Sequence, residues 1–465
     1  MDARTLVGEV WGGVGGATGD LEGVNLTGPT NILPTVFPAT AVAISTVAAA
    51  TLGVAELWRS RGGPDPLPVV SVDSRHAAFA CHSEAFVQVT GHDLGDVWDP
   101  IAGVYAAADG WIRLHTNFRR HREAAINALG LDEHADRTTV GTAVAKWPAV
   151  ELEDAIYAAG GCAAAARSAE EWRTSEQAKV IARRPLIDIT QLGDAPLPVA
   201  LAAPPRGRPL EGLRVLDLTR VIAGPVTGRL LAAYGAQVLR VDPPPGEDSR
   251  ILIADTTVGK RSALLDLSDA KGRAPFEMLV ASSDVVLCAY RPGALAGLGY
   301  GPQQLAARRP GLVVGTLSAY GDDGPWGQRR GFDSLVQMAT GIADEGRKAS
   351  AADKPVPLPV QLLDHATGYL LAAGVTRALT RRHAEGGSWQ VRASLARTAQ
   401  WLLGLSRSGA LESPGLGREL PDDLAVDLHG PLGHSRHVAC PGVIVGAAPS
   451  WHRGPVTLGY DTPGW

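Results

Sequence analysis

The stretch that decides the fold spans residues 214–241 and reads RVLDLTRVIAGPVTGRLLAAYGAQVLRV. It predicts a short apolar strand over 214–218, a helix that opens at Gly224 and ends at Gly235, and a second strand over 237–241. Similar apolar strands, most of them separated by helical segments, fit residues 263–265, 284–288 and 311–315. Such alternation is typical of a parallel sheet covered on both faces. We therefore predict an α/β fold with a Rossmann-like parallel sheet, helices on both faces, and ligands bound beyond the carboxyl ends of its strands.

The chain divides, in our prediction, into three domains and a linker. Residues 209–465 form the large domain, and residues 201–208 form a linker rich in Pro, Gly and Ala. Residues 99–200 predict a smaller α+β domain, because a hairpin around Asp109-Gly110 is followed by helical stretches. We predict that residues 1–98 form a degenerate partial copy of the helix and strand unit of the large domain.

The internal copy is indicated by an order of elements that occurs twice, over about 39–78 and 364–397. Each segment reads as an Ala-rich helix, a charged end, a Gly turn and a short strand that leads to another helix. Asp364 opens the second segment, whereas the first has Ala39 or a neighbour at that place. A reactive polar group is therefore expected in one copy only.

Composition limits the classes of function. The chain has 465 residues, 45% of them apolar and 20% charged, which is typical of a globular protein. A net charge of −5 argues against a nucleic-acid or membrane-surface protein. The four cysteines form no CxxC pair, and the N-terminus lacks the order of a signal peptide, so we predict a reduced, cytoplasmic protein. The uncharged stretch 38–55 predicts a buried helix rather than a membrane span.

Several common site motifs are absent. The turn at 223–228 is not GxGxxG, which argues against a dinucleotide, and Ser318 does not lie in GxSxG, which argues against a hydrolase. Four possible metal ligands lie close together near the C-terminus, but their spacing matches no zinc signature: His429, His434, His437 and Cys440. We predict no metal and no permanently bound cofactor.

The large domain carries a set of ordered motifs. They are PLEGLRVLD at 209–217, AGP at 223–225, LAAYGAQV at 231–238, GKRS at 259–262, YRPG at 290–293, SAYG at 318–321 and GFD at 331–333. Together they resemble family III coenzyme A transferases of the CaiB/BaiF type, which include formyl-CoA transferase, carnitine CoA-transferase and α-methylacyl-CoA racemase. The resemblance covers about residues 209–400. Residues 104–198 resemble the small domain of the family, which here precedes the sheet rather than interrupting the large domain.

The resemblance implies that Asp364, in QLLDHATG at 361–368, is the nucleophile of an acyl-CoA:carboxylate CoA-transferase. Its carboxylate would attack an acyl-CoA donor, pass through an aspartyl-CoA thioester and hand CoA to a carboxylic acid acceptor. Coenzyme A is then a substrate rather than a resident cofactor. An isolated aspartate ahead of an Ala-rich helix would usually be its N-cap, and the two roles are compatible.

The resemblance also implies a CoA-binding set. Carried over by motif are Ile222, Ala223, Leu265, Tyr290, Arg291 and Arg330. Arg240 and Lys260 are nearby cations that either meet CoA phosphates or are solvated surface charges. Formyl-CoA transferase has a glutamine at the place of Ile222 and an arginine at the place of Gly297, which counts against formyl transfer itself.

Two alternatives stay open beside the transferase. A racemase-like enzyme would need a histidine in Gly-His-Asp, where this chain has Phe332, and phenylalanine cannot shuttle a proton. His365, beside the nucleophile, is the candidate to compensate. The other alternative is a non-catalytic acyl-CoA-binding protein. Because the family forms interlocked dimers, the resemblance implies a homodimer or a related subunit.

Overall fold

The computed structural model describes residues 2–198, 207–246 and 248–465. Most of the predicted linker at 201–208 lies outside these residues. Within 2–98 the helices and strands are α1 (Ala3–Gly13), β1 (Val24–Thr27), α2 (Ala39–Ser60), β2 (Val70–Asp73), α3 (Ser74–Ala80) and β3 (Gln88–Val89). Within 99–198 they are β4 (Gly103–Ala106), β5 (Trp111–Leu114), α4 (Arg119–Leu129), α5 (Arg137–Val144), α6 (Ala149–Ala158), β6 (Ala163–Ala165), α7 (Ala169–Thr174), α8 (Glu176–Ala182) and β7 (Asp188–Gly193).

The elements after residue 207 alternate as predicted. As far as residue 318 they are β8 (Arg214–Leu218), α9 (Ala223–Ala233), β9 (Gln237–Asp242), α10 (Arg250–Thr256), β10 (Arg261–Leu264), α11 (Ala270–Ala281), β11 (Val285–Cys288), α12 (Ala294–Gly297), α13 (Pro302–Arg308) and β12 (Val313–Ser318). They continue with α14 (Asp333–Ala339), α15 (Ile342–Ala349), α16 (Leu362–Glu385), β13 (Ser388–Ser394), α17 (Leu395–Gly404), β14 (Ala425–Gly430), β15 (Gly433–Val438) and β16 (Gly442–Ile444).

The large sheet has seven strands in the order β10-β9-β8-β11-β12-β13-β7. All neighbours are parallel except β13 and β7, which are antiparallel. Strand residues alternate between two apolar cores: Val215 packs with α9 and α16, whereas Leu216 packs with α11 and α13. The predicted α/β fold with helices on both faces of a parallel sheet is therefore confirmed.

The small domain has a sheet and core of its own. Strands β4, β5 and β6 form an antiparallel sheet, and its hairpin turns at Asp109-Gly110 as predicted. The helices α4, α5 and α6 complete an apolar core around Ile112 and Leu152. The predicted boundary at residue 200 differs from the strand pairing, because β7 belongs to the large sheet. There it pairs with the edge of β13 that would otherwise be open.

The two predicted copies have the same order of elements and pack against each other. Helix α2 leads to β2 and α3, as α16 leads to β13 and α17. Both long helices begin after a residue of nearly identical backbone geometry, Pro38 with ψ 52° and Gln361 with ψ 58°. The helices approach closely at Gly53, where an added Cβ would lie 2.3 Å from Thr376 Oγ1.

Helix α2 is long and apolar enough to cross a membrane by length and composition alone. Almost all of it is buried against other elements, chiefly α16, as in the core helix of a globular protein.

The first and last parts of the chain are joined by strand pairing. Strand β16 pairs antiparallel with β2, and β15 pairs with β3. Tyr234, on the large sheet side, donates its hydroxyl to the carbonyl of Gly442 at 2.6 Å. Residues 2–98 therefore share a sheet with the C-terminal region rather than forming a separate unit.

Candidate active site

A cleft lies at the carboxyl edge of the large sheet, between β8 and β11. The chain winds from β8 to β9 and β10 on one side, then returns to β11, β12 and β13 on the other, so the order of strands reverses at this point. Such a reversal opens a crevice for ligands. The cleft is lined by the segments that follow β8, β11 and β12, by Asp364, and by Phe118 and His121 of the small domain. We call it the active-site cleft.

Asp364 enters the cleft from the first turn of α16. It is the third residue of that helix, whose N-cap is Gln361, so the N-cap role considered for Asp364 is not observed. The side chain is largely buried, with 7% of the residue exposed. Burial raises the pKa of Asp364 well above that of an ordinary aspartate, and the charges of Asp333 and Glu84 raise it further. The result is an unusually basic carboxylate at the floor of a cleft.

Asp333 holds the backbone of Asp364. Its Oδ2 accepts a hydrogen bond from the Asp364 N–H at 2.9 Å, and its Oδ1 accepts one from the side chain of Gln337. Burial raises the pKa of Asp333 to about 6, although both hydrogen bonds act in the opposite direction. The two carboxylates titrate as a pair because each disfavours the ionisation of the other.

His365, the residue after Asp364, contacts Glu84. His365 Nε2 is 3.1 Å from Glu84 Oε2, and both residues are buried. Burial alone would raise the pKa of Glu84, but contacts with His365 and His82 outweigh it and lower that pKa. His365 does not line the active-site cleft, so its predicted role as a substitute for the racemase histidine gains no support from the geometry.

Five of the predicted CoA-binding residues meet in the active-site cleft with Asp364. They are Ile222, Ala223, Tyr290, Arg291 and Arg330. Ala223 begins α9, and the N-terminus of a helix offers N–H groups and a partial positive charge to an anion. Leu265 is not among the residues that line the cleft; it packs in the apolar core on the face of α11.

The prediction that Arg240 binds phosphate is wrong. Its side chain is fully buried and forms a bidentate ion pair with Asp242, at 2.7 and 3.0 Å, and a further pair with Asp248 at 3.1 Å. Asp248 in turn accepts a hydrogen bond from the N–H of Val221 at 3.4 Å. Arg240 therefore stabilises the loop after β8 through Asp248, from the interior of the protein.

The same correction applies to Lys260. Its ammonium is fully buried, 2.7 Å from Asp217 Oδ2 and 2.9 Å from the carbonyl oxygen of Pro225. Asp217 lies on β8 and Pro225 in the first turn of α9. Lys260 therefore joins a strand to the helix that follows it and has no free face for a CoA phosphate.

Arg220 is a cleft residue that sequence reasoning missed. Its guanidinium lies 4.6 Å from the ring centre of Phe118, and its Nε and Nη2 are buried without a hydrogen-bond partner. The next residue, Val221, has φ 68°, which is strained for a β-branched side chain. An arginine two residues after the end of a parallel strand was the signal that could have identified it.

Phe332 occupies the position where a racemase would need histidine, and two histidines of the small domain surround it. His115 stacks on the Phe332 ring with centres 3.6 Å apart, and the His121 ring lies 5.8 Å away. Burial, with the charges of Arg120, Arg330 and Arg220, lowers the pKa of His121 to about 3. His121 is therefore a neutral imidazole at the cleft wall near neutral pH.

Across the described ranges no group of three potential metal ligands is close enough to hold an ion. His429 and His434 face each other across the β14–β15 hairpin with ring centres 5.1 Å apart. His437 is buried three positions further along β15 than His434.

Comparison with known proteins links a part of the chain to one family. Residues 210–417 match the model of CoA-transferase family III. The chain is 36% identical over 192 residues to the "Probable fatty acyl-CoA transferase Rv3272" of Mycobacterium tuberculosis, covering 38% of this chain and 48% of that protein. It is 30% identical over 322 residues to "Acetyl-coenzyme A transferase nodX" of Hypoxylon pulicicidum, covering 65% of this chain and 54% of that protein.

The chain thus spans about half the length of these two curated relatives. Among solved structures, a "CAIB/BAIF family protein from Brucella suis" is 26% identical and has a TM-score of 0.40. The match covers 49% of this chain and 65% of that one.

Proposed function

We propose that this protein is an acyl-CoA:carboxylate CoA-transferase whose nucleophile is Asp364. The observation that carries the proposal is the position of Asp364: a buried carboxylate at the strand-reversal cleft of a family III region. Relatives whose names describe them as CoA or acyl-CoA transferases support the same class of reaction.

The reaction needs no external redox partner or net proton transfer. An oxygen of the Asp364 carboxylate attacks the donor carbonyl, the C–S bond breaks, and CoA thiolate leaves a mixed anhydride behind. The thiolate attacks Cγ of Asp364 and releases the donor acid, which gives an aspartyl-CoA thioester. The acceptor carboxylate attacks this thioester and releases the thiolate again, which leaves a mixed anhydride between Asp364 and the acceptor. The thiolate then attacks the acceptor acyl group of this anhydride and restores the Asp364 carboxylate.

The surroundings of Asp364 suit each half of this exchange. A desolvated carboxylate with a raised pKa is more basic, and therefore a stronger nucleophile once ionised. Arg220, Arg291 and Arg330 place positive charge at the cleft wall, where CoA phosphates and developing oxyanions need it. We assign the CoA phosphates to this arginine group together with the N-terminus of α9.

The residues of this cleft fit a racemase less well than a transferase. It requires a proton acceptor and a donor on opposite sides of the α-carbon, and Phe332 supplies neither. A non-catalytic acyl-CoA binder explains the arginine group but gives no reason for a buried carboxylate, which costs stability without a partner charge.

Trapping the covalent intermediate tests the proposal. The protein is incubated with acetyl-CoA, succinyl-CoA or dodecanoyl-CoA, treated with hydroxylamine or borohydride, and examined by intact-protein and peptide mass spectrometry. We expect a modification on the Asp364 peptide that is lost in Asp364→Ala and kept in Asp353→Asn, which changes an exposed surface carboxylate. CoA binding without any adduct would refute the transferase and favour the binder. Exchange of the α-proton with solvent deuterium, again without an adduct, would indicate the racemase.

A further inference from the structure

A second cleft opens beside the active-site cleft at the same edge of the sheet. It lies between the carboxyl ends of β12 and β13, the short helix α12, and the segment from α8 to Asp188. We call it the side cleft. Five residues line both clefts: Tyr290, Arg291, Pro292, Leu317 and Ser318. The two cavities therefore meet along one wall.

The lining of the side cleft is mainly apolar. Val180 and Ile181 of α8 contribute one wall, and Leu295 and Ala296 of α12 contribute another. Concave and mainly apolar surfaces are the usual sites of small molecules.

Several charged groups at the border of the side cleft pair with one another. Arg184 pairs with Asp188 at 3.1 Å and also contacts the carboxylate of Asp323. Arg392 pairs with the same Asp188 at 2.9 Å. Arg291 and Arg397 also line the cleft, so positive charge remains at its border, whereas the apolar surface between these groups favours an uncharged chain.

We propose that the side cleft holds the alkyl chain of the acyl group whose carboxyl carbon reacts at Asp364. The inference rests on the proposed function and adds the substrate class: medium- and long-chain apolar acids rather than short ones. The contact between the two clefts allows one molecule to place its carboxyl group in the active-site cleft and its chain in the side cleft. Each methylene buried there contributes about 0.8 kcal/mol, so several together dominate the choice of substrate.

Binding of a fluorescent fatty acid, 11-(dansylamino)undecanoic acid, tests the side cleft without any turnover. The variants are Ala296→Trp and Val180→Trp, which fill the cleft from opposite walls; both alanine and valine keep solvent exposure, so folding is expected to survive. Ala281→Trp on α11 is the matched control, exposed and outside both clefts. We expect the two cleft variants to bind the probe about 10-fold or more weakly, the loss of about two buried methylenes, and the control to bind as wild type.

Chain-length dependence of transfer gives the second readout. We expect dodecanoyl-CoA to exceed acetyl-CoA in kcat/KM by about 10-fold or more, and Ala296→Trp to remove that advantage while acetyl transfer changes by no more than about twofold. Equal losses for both donors, or unchanged probe binding in both Trp variants, would overturn the inference. The expected probe binding with no label on Asp364 would refute the proposed function yet support the side cleft as an apolar-chain site.

Discussion

Asp364 and Asp333 form a carboxylate pair whose ionisation is linked to the reaction. The N–H of Asp364 is held by Asp333, and each negative charge raises the cost of the other. In the proposed mechanism, only the ionised form of Asp364 is a nucleophile. The pair therefore connects the position of the proposed nucleophile with the pH at which it works.

We predict that kcat/KM rises with pH along an acidic limb. The midpoint of this limb should lie above the ordinary pKa of an aspartate. The pKa values of both residues are raised, that of Asp333 to about 6, so the active carboxylate is lost as pH falls through the pKa of the pair. Asp333→Asn removes one negative charge and is expected to move the limb to lower pH. Asp353→Asn serves as the control and should leave the limb in place. A limb that stays or moves upward in Asp333→Asn would contradict the coupling.

Lys260 gives a second prediction about a single residue. Lys260→Met leaves the carboxylate of Asp217 buried and unpaired, which should lower the free energy of unfolding by about 3–5 kcal/mol. Adding Asp217→Asn should recover much of that loss, measured by urea denaturation.

The affinity of CoA distinguishes a buried structural cation from a phosphate ligand. Lys260→Met with Asp217→Asn should bind CoA as wild type in calorimetry, whereas Arg291→Ala, at the cleft wall, should bind about 10-fold more weakly. A comparable loss in the Lys260 variants would restore Lys260 to the phosphate site.

At the scale of elements, the crossing of α9 and α16 positions the nucleophile. Thr227 on α9 donates its hydroxyl to the carbonyl oxygen of Gly368 on α16 at 2.7 Å. Gly368 follows Asp364 by one helical turn and so lies on the same face of α16. An added Cβ at Gly368 would lie 2.4 Å from the carbonyl oxygen of Ala223, the residue that begins α9.

We predict that Gly368→Ala separates the two helices and displaces Asp364 from the CoA-binding end of α9. Transfer should fall by about 10- to 100-fold in kcat/KM, since small misplacements of reacting groups are costly. The free energy of unfolding should fall by about 1–3 kcal/mol, measured by denaturation. Gly404→Ala, at the exposed end of α17 with open space around it, is the control. Wild-type activity in Gly368→Ala would show that the crossing does not position Asp364.

At the scale of the whole molecule, one chain supplies both walls of the cleft. Phe118 and His121 come from the small domain, whereas Asp364 comes from the large one. Glu84, from the first part of the chain, contacts His365, which follows Asp364 in the sequence. The parts that line the cleft therefore come together within one chain, and a homodimer or related subunit stays a prediction.

We predict that activity does not depend on association between chains. Specific activity should stay constant when the protein is diluted from about 10 µM to about 10 nM, because dilution dissociates subunits but not domains of one chain. Size-exclusion chromatography at the same concentrations reports the oligomeric state. Activity that falls in step with a dimer-to-monomer transition would show that a partner completes the site.

The sequence identified some residues of the site and not others for a physical reason. Tyr290 and Arg291 lie in a local motif and follow β11, whose apolar pattern is plain, so the edge to which they belong was predictable. Asp364 lies in a local motif at the start of an Ala-rich helix, and that motif identified it. Arg240 was misjudged because cations are rarely buried, and its burial depends on acidic partners. Asp242 lies two positions further along on the same face of β9, and it was the sequence signal for this ion pair.

The sequence by itself determined the parallel sheet, the repeated helix and strand unit, and the aspartate that opens its second copy, because strand periodicity, glycine turns and motifs are local properties of the chain. Only the tertiary structure decided what surrounds that aspartate. Asp333, Glu84 and His121 reach it from distant segments, and β7 joins the large sheet across the linker. Contacts of this kind depend on how elements pack in space, and the burial that sets the pKa of Asp364 exists only after they have packed.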